Sequence, residues 1–287
     1  MERIWQEINR IPLIVMELLL GFALFWLGQL AYQKLFRRMN LNLQLFVRDN
    51  PAVAIALVGY YMGIAIALGG VLIQTRSSWQ DTLLNLTSYG AFSILLMLAG
   101  AWICDFTILR RCDCAREVRE EHNVGAGSVE AGCHIANGLI LSSALGGEGG
   151  NLFVGLVCWL LGLGVLVLVS IVYPRIAAYD VYGEIAKRNN PAAGVAFAGA
   201  IIGVANVIRN ALVPEFENWT VSFSLYAIAL GGGLILLAVI RWLADLILVP
   251  GVKISDEIAK QETPNLGVGF IEAFTYIVSS FLVAWAF

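Results

Sequence analysis

Eight apolar runs, each long enough to cross a bilayer, limit what this chain can fold into. They lie at roughly residues 11–35, 52–74, 84–109, 124–145, 151–174, 192–213, 221–249 and 265–287. A spanning helix needs about 20 predominantly apolar residues. The runs do not alternate polar and apolar positions, which argues against spanning strands. Charged residues make up 14% of the chain and hydrophobic residues 59%, whereas a soluble domain carries about 25% charge. With a mean hydropathy of +0.77, the chain cannot cover its own surface in water, and lipid is its expected solvent. The fold class read here is all-α: a polytopic membrane protein with eight transmembrane helices. The opening "MERIWQEINR" mixes acid and base, and the run after it lacks a clear small-residue cleavage site. It reads as a retained first span rather than a signal peptide.

The connections come in two kinds. Four are long and charged: "KLFRRMNLNLQLFVRDN", "RRCDCAREVREEHN", "PRIAAYDVYGEIAKRNN" and "VPGVKISDEIAKQET". Three are short and nearly free of basic residues: "QTRSSWQDT", "GGEGG" and "PEFENWT". Fourteen of the 18 Lys and Arg lie in or at the edges of the long linkers, Arg241 among them. The positive-inside rule places those linkers in the cytoplasm and both termini in the periplasm. The net charge of −3 argues against nucleic acid as a partner. Two histidines and five scattered cysteines outline no zinc or disulfide framework, and free thiols are the expectation for Cys112 and Cys114.

Each long linker leads into a span of one flavour: "DNPAVAIALVGYYMGIAIA", "EHNVGAGSVEAGCHIANG", "NNPAAGVAFAGAIIGVAN" and "ETPNLGVGFIEAFTYIVS". The anchors Pro51, His122, Pro191 and Pro264 recur about every 70 residues. The first and third copies share Gly-x-x-x-Gly, at Gly59 with Gly63 and Gly199 with Gly203. The second and fourth share G-x-G-x-x-E-A, ending in Glu130–Ala131 and Glu272–Ala273. Trp102 and Asp105 recur as Trp242 and Asp245. The reading is a duplicated four-helix unit, residues 1–150 and 151–287. A repeat with an even number of spans keeps its orientation, so the units are expected to be parallel, with pseudo-two-fold symmetry about the membrane normal.

The pattern "YD…EIAKRNNPAAGVAFAG", with Tyr179, Asp180, Glu184, Ile185, Asn190, Pro191 and Ala192, resembles the YjfL-like bacterial inner-membrane proteins, domain of unknown function 350. Two such units in tandem cover nearly the whole chain. The first linker departs from the pattern, with Phe46 and Arg48 but no "EIAK". The resemblance implies the bacterial inner membrane and cytoplasmic membrane-stress proteins as partners. It implies no established activity and no catalytic residues.

Helices in lipid associate through close backbone contact, which Gly and Ala permit. The small faces should therefore form the bundle centre, with Gly59, Gly63, Gly199 and Gly203 as packing positions. Eight residues past the anchors lie Gly59, Glu130, Gly199 and Glu272. Twelve past lie Gly63, His134, Gly203 and Tyr276, and fifteen past lie Ile66, Asn137, Asn206 and Ser279. These offsets share one helix face. If the four helices surround a common axis, glycine on two of them makes room for glutamate on the others, ~12 Å below the surface. A charge at that depth costs about 3 kcal/mol on insertion scales.

Two functions fit. One is a conduit or carrier for protons or small cations, with Glu130 and Glu272 as a central ionisable pair and His134, Asn137, Asn206, Tyr276 and Ser279 lining the route. The other is a non-catalytic membrane scaffold in envelope-stress response, whose basic linkers recruit cytoplasmic partners and anionic lipid. In it the same polar residues are hydrogen-bond pins between helices. The sequence carries no H-E-x-x-H, G-x-S-x-G or nucleotide loop, so no enzyme, cofactor or metal is expected.

Overall fold

The computed structural model describes residues 2–37, 41–73, 79–109, 113–146, 152–212, 217–248 and 251–286. These residues are mostly helical, and no strand occurs among them. The long helices are α1 (Glu2–Tyr32), α2 (Pro51–Leu72), α3 (Trp79–Thr107), α5 (Val124–Ala144), α6 (Leu152–Ile176), α8 (Pro191–Ala211), α9 (Trp219–Leu248) and α11 (Leu266–Ala286). The described linkers carry three short α-helices, α4 (Cys114–Arg119), α7 (Val181–Arg188) and α10 (Ile254–Ala259), and two wider single turns, Gln33–Arg37 and Leu43–Val47. Among the described residues, seven helices are long and apolar enough to cross a membrane. The eighth long helix, α5, is 21 residues long and falls short on hydropathy. Ser128, Glu130, His134 and Asn137 dilute it, and all four are buried.

The small-residue helices α2, α5, α8 and α11 form the centre, as an open row and not a ring. α2 packs along α5, α5 along α8 and α8 along α11; no comparable contact joins α2 to α11. The helices run parallel, since contacts climb together: Gly127 meets Ala52, Gly59 meets Ala131, Gly63 meets His134, and Gly70 meets Ser142. The Leu-rich helices lie outside. The most apolar window of α8 is 89% buried, whereas those of α1 and α9 are 11% and 17% buried. Trp102 and Trp242 are each 62% exposed, on the outer surface expected to face lipid. The side chain of Asp245 lies outside the described residues.

The repeat is written into the linkers as one local device used four times. Each central helix is preceded by an asparagine whose side chain accepts from the helix's first free N–H groups: Asn50, Asn123, Asn190 and Asn265. The amide Nδ2 of each also donates to an acid or amide in the preceding helical turn: Gln44 (3.3 Å), Glu117 (3.0 Å), Glu184 (2.8 Å) and Glu257 (3.1 Å). Gln44, in the turn Leu43–Val47, therefore takes in the first linker the place of the glutamate of "EIAK". A third bond reaches into the next copy. Asn50 donates to the Val118 carbonyl (2.9 Å), Asn123 to that of Ile185 (2.7 Å) and Asn190 to that of Ile258 (2.8 Å). Ahead of the first three caps stand Asp49, His122 and Asn189, at φ near +50°. These are residue types that tolerate the left-handed region. The fourth copy has Pro264 there, and its cap N–H bonds back eight residues to Glu257, where the others bond back six.

This device yields a prediction. Asn190→Ala should destabilise the fold by about 2 kcal/mol, the upper end for a lost cap, because Asn190 is fully buried and loses its tie to Ile258 as well. Asn265→Ala, on an exposed cap, should cost about half as much. Thermal melts in detergent read both; equal shifts would mean the tie between copies contributes nothing.

Cys114 is disulfide-bonded, against the expectation of free thiols, while Cys104, Cys133 and Cys158 are free. Cys112 lies outside the described residues.

Candidate functional site: two buried acid clusters

In the first half, Glu130 and His134 sit one turn apart on α5, 4% and 2% exposed. Residues four apart share a helix face, and the His134 Nε2 is 3.5 Å from Glu130 Oε1. Tyr32, near the end of α1, completes the group. Its hydroxyl donates to Glu130 Oε1 at 3.1 Å and lies 3.0 Å from His134 Nε2. A neutral imidazole with its proton on Nε2 donates to Tyr32 while Tyr32 donates to the carboxylate. The rings hold one another in place: Tyr32 stacks on Tyr60 of α2 at 3.9 Å, and the His134 ring stands edge-on to both. The Tyr60 hydroxyl is occupied by the Gly28 carbonyl at 3.1 Å.

In the second half, Glu272 on α11 is 5% exposed. It faces Arg241 of α9 in a forked pair, Nη2 to Oε2 at 2.8 Å and Nε to Oε1 at 3.3 Å. The guanidinium also lies 5.5 Å from the Tyr276 ring centre, a cation–π arrangement. Tyr276 packs edge-on to Tyr173 of α6, which stacks on Phe197 of α8. The pair opens into a cavity of about 370 Å³, walled also by Tyr179, Lys253 and Ser255. Burial, and next the charge of Glu272, push the Tyr179 hydroxyl up, so it stays protonated.

The two clusters correspond. Glu130 and His134 match Glu272 and Tyr276, four apart in each case, with a tyrosine from the first Leu-rich helix of each half beside them, Tyr32 of α1 and Tyr173 of α6. The acid's partner differs. Glu130 has a phenol and an imidazole; Glu272 has a cation. The residue before Trp242 is Arg241, whereas the residue before Trp102 is Ala101.

The expected single glutamate layer is not what the packing gives. α8 stands between α5 and α11, so Glu130 and Glu272 sit in separate clusters. The glycines also serve a different purpose. A Cβ on Gly59 would meet the main chain of Ala131 at 2.3 Å, and one on Gly199 that of Ala273 at 2.2 Å. Gly63 and Gly203 meet the carbonyls of His134 and Tyr276. They admit the backbone of the glutamate helix, not the carboxyl. The anchors explain the slip. Pro51 and Pro191 begin their helices, while His122 and Pro264 precede the capping asparagine. Measured from the caps, the glutamates lie at position seven and Gly59 and Gly199 at position nine, ~200° around the helix.

The remaining polar residues are fastened. Asn137 donates to the Leu96 and Met97 carbonyls of α3 and accepts from Trp159 Nε1 of α6 at 2.9 Å, pinning three helices. Asn206 accepts from Arg209 at 3.0 Å and donates to Ser280 at 3.1 Å. Its partner is Ser280, one residue beyond Ser279, which is itself buried. Tyr32 and Arg241 were missed by sequence reasoning. Arg241 had a signal, a lone base inside the apolar run "LLAVIRWLADLIL". Tyr32 had none. Among the described residues no three His, Cys, Asp or Glu side chains gather as a metal-holding group.

Apolar helices around buried acid clusters define a polytopic helical membrane protein built of two tandem domains. The profile of the family described as Domain of Unknown Function (DUF350) matches residues 6–145 and again 149–287, and the chain belongs to that family. It is similar to a UPF0719 transmembrane protein of Aquifex aeolicus (strain VF5), 23% identical over 268 residues, covering 91% of this chain and 96% of that one. No solved structure matches.

Proposed function

We propose that this is a proton- or small-cation-coupled conduit or carrier of the bacterial inner membrane. Its proton-binding group is Glu130–His134–Tyr32, and the Glu272–Arg241 pair is the fixed counterpart in the other half. In this reading α5 is the eighth span, the halves are related by a pseudo-two-fold axis along the membrane normal, and both termini face the periplasm. The observation that carries it is a carboxyl, an imidazole and a phenol within 3.5 Å of one another at 4% exposure or less. Intramembrane ionisable residues are costly, and where they persist they mark ion and proton paths. A carboxyl held by a phenol and an imidazole can gain or lose a proton; a carboxyl locked to arginine is fixed in charge.

The test is flux. Wild-type protein in vesicles carrying a pH-sensitive dye should pass protons down an imposed gradient, and Glu130→Gln should abolish this while Asn137→Ser leaves most of it. Flux undiminished in Glu130→Gln would remove the site. No flux in wild type, with cytoplasmic partners still recruited, would favour the scaffold reading. The layer of linker helices α4, α7 and α10, tied together by the capping asparagines, supports that alternative.

A further inference from the structure

The cavity beside Glu272 and Arg241 has an apolar neighbour. A cleft of about 310 Å³ runs between α6, α8 and α9, walled by Leu168, Val172, Val204, Leu234 and Leu237. The two cavities share Tyr173, Ile176 and Tyr276 as a common wall. Each is at the lower end of the range for small-molecule sites. Along α6 the cleft extends from Leu168 to Ile176, about 12 Å at the helical rise per residue. Leu168 and Ile176 at its rim are 61% and 76% exposed, so the cleft opens sideways, toward the surface that faces lipid. The polar cavity lies at the linker end, where Lys253 and Arg241 outnumber Glu272, for a net charge of +1.

We infer that the joined cavities hold one anionic phospholipid, its phosphate at Lys253 and Arg241 and one acyl chain in the cleft between α6 and α9. Shape and charge argue together. A soluble anion has no use for an apolar cleft opening on lipid, and a neutral lipid has no use for two cations at its head. The first half supplies an internal comparison. The position matching Lys253 at the start of the linker helix is Asp113, and the one matching Arg241 is Ala101. Among the described residues the site therefore belongs to the second half, and the duplicated units have diverged in what they hold. This inference stands apart from proton movement and survives if the vesicles show no flux.

Native mass spectrometry of the delipidated full chain tests it, with phosphatidylglycerol, phosphatidylcholine of the same acyl chains, and glycerol phosphate as probes. Phosphatidylglycerol should be retained over phosphatidylcholine by about tenfold. Lys253→Glu should erase that preference. Ala238→Trp, which fills the cleft from an exposed position, should lower retention of phosphatidylglycerol by a similar factor. Equal retention of the two lipids by wild type overturns the proposal. So does displacement of phosphatidylglycerol by equimolar glycerol phosphate, or undiminished retention in both variants.

Discussion

Gly194→Ala should destabilise the protein by about 3 kcal/mol, the upper end of the range for overpacking, and should loosen the junction between its halves. Gly194 of α8 faces Gly125 of α5, and a Cβ there would fall 2.3 Å from both the Cα and the carbonyl oxygen of Gly125. The obstruction is main chain, which cannot swing aside as a side chain does. The reverse substitution meets the same wall, since a Cβ on Gly125 would lie 2.7 Å from the Asn190 carbonyl. The next contact along, Gly132 against Ala198, is nearly as close at 2.9 Å. Without a hydrophobic force between helices in lipid, such backbone contact is what holds α5 to α8. Gly164→Ala and Gly231→Ala are the controls. Nothing lies within 4 Å of a Cβ at either, and alanine should gain up to about 1 kcal/mol of helix propensity. Melting in detergent should put Gly194→Ala well below wild type and the controls at or above it. A Gly194→Ala melt matching the controls would mean that α5 and α8 do not touch.

Much of this was legible in the chain. Bilayer-length runs, small-residue faces and the four-beat spacing each follow from local chemistry, and the helices formed where they pointed. The hidden parts depend on what a linear reading cannot weigh. Proline looked like the anchor of three copies and His122 of the fourth, yet the shared element is the asparagine nearby, because the cap bonds fix the helix start and proline does not. Gln44 escaped notice because an amide replaces an acid as hydrogen-bond acceptor without preserving the motif's letters. α5 is the one long helix without a span-grade apolar stretch because it is among the most enclosed; its polar groups are buried against protein. Periodicity assigns a face to each helix and says nothing about whether four such faces close into a ring. Here α5 and α8 each use two faces, and the row stays open. That opening is what divides the glutamates between two clusters.

The division implies unequal consequences for the two acids. Arg241→Ala should destabilise by about 3–5 kcal/mol, as expected when one partner of a buried ion pair is removed and the other stays behind. Glu272 is 5% exposed and receives both bonds of the guanidinium fork, so removing Arg241 takes away the opposing charge paired with it in the cluster. Restoring the balance should restore the fold. Arg241→Met with Glu272→Leu removes both charges, and such apolar replacements of buried pairs are close to neutral or stabilising. In the first half the matching change is smaller. Tyr32→Phe removes one donor from Glu130 while His134 remains 3.5 Å away, and a buried acceptor losing one partner costs about 1–3 kcal/mol. Melting of the four variants should therefore rank Arg241→Ala lowest, Tyr32→Phe intermediate, and the Arg241→Met, Glu272→Leu double variant near wild type, with Glu272→Leu alone below the double. If the double variant melts no higher than Arg241→Ala, the two residues are not paired. The second cluster would then be a set of independent packing contacts, with no fixed ion pair to set it apart from the group around Glu130.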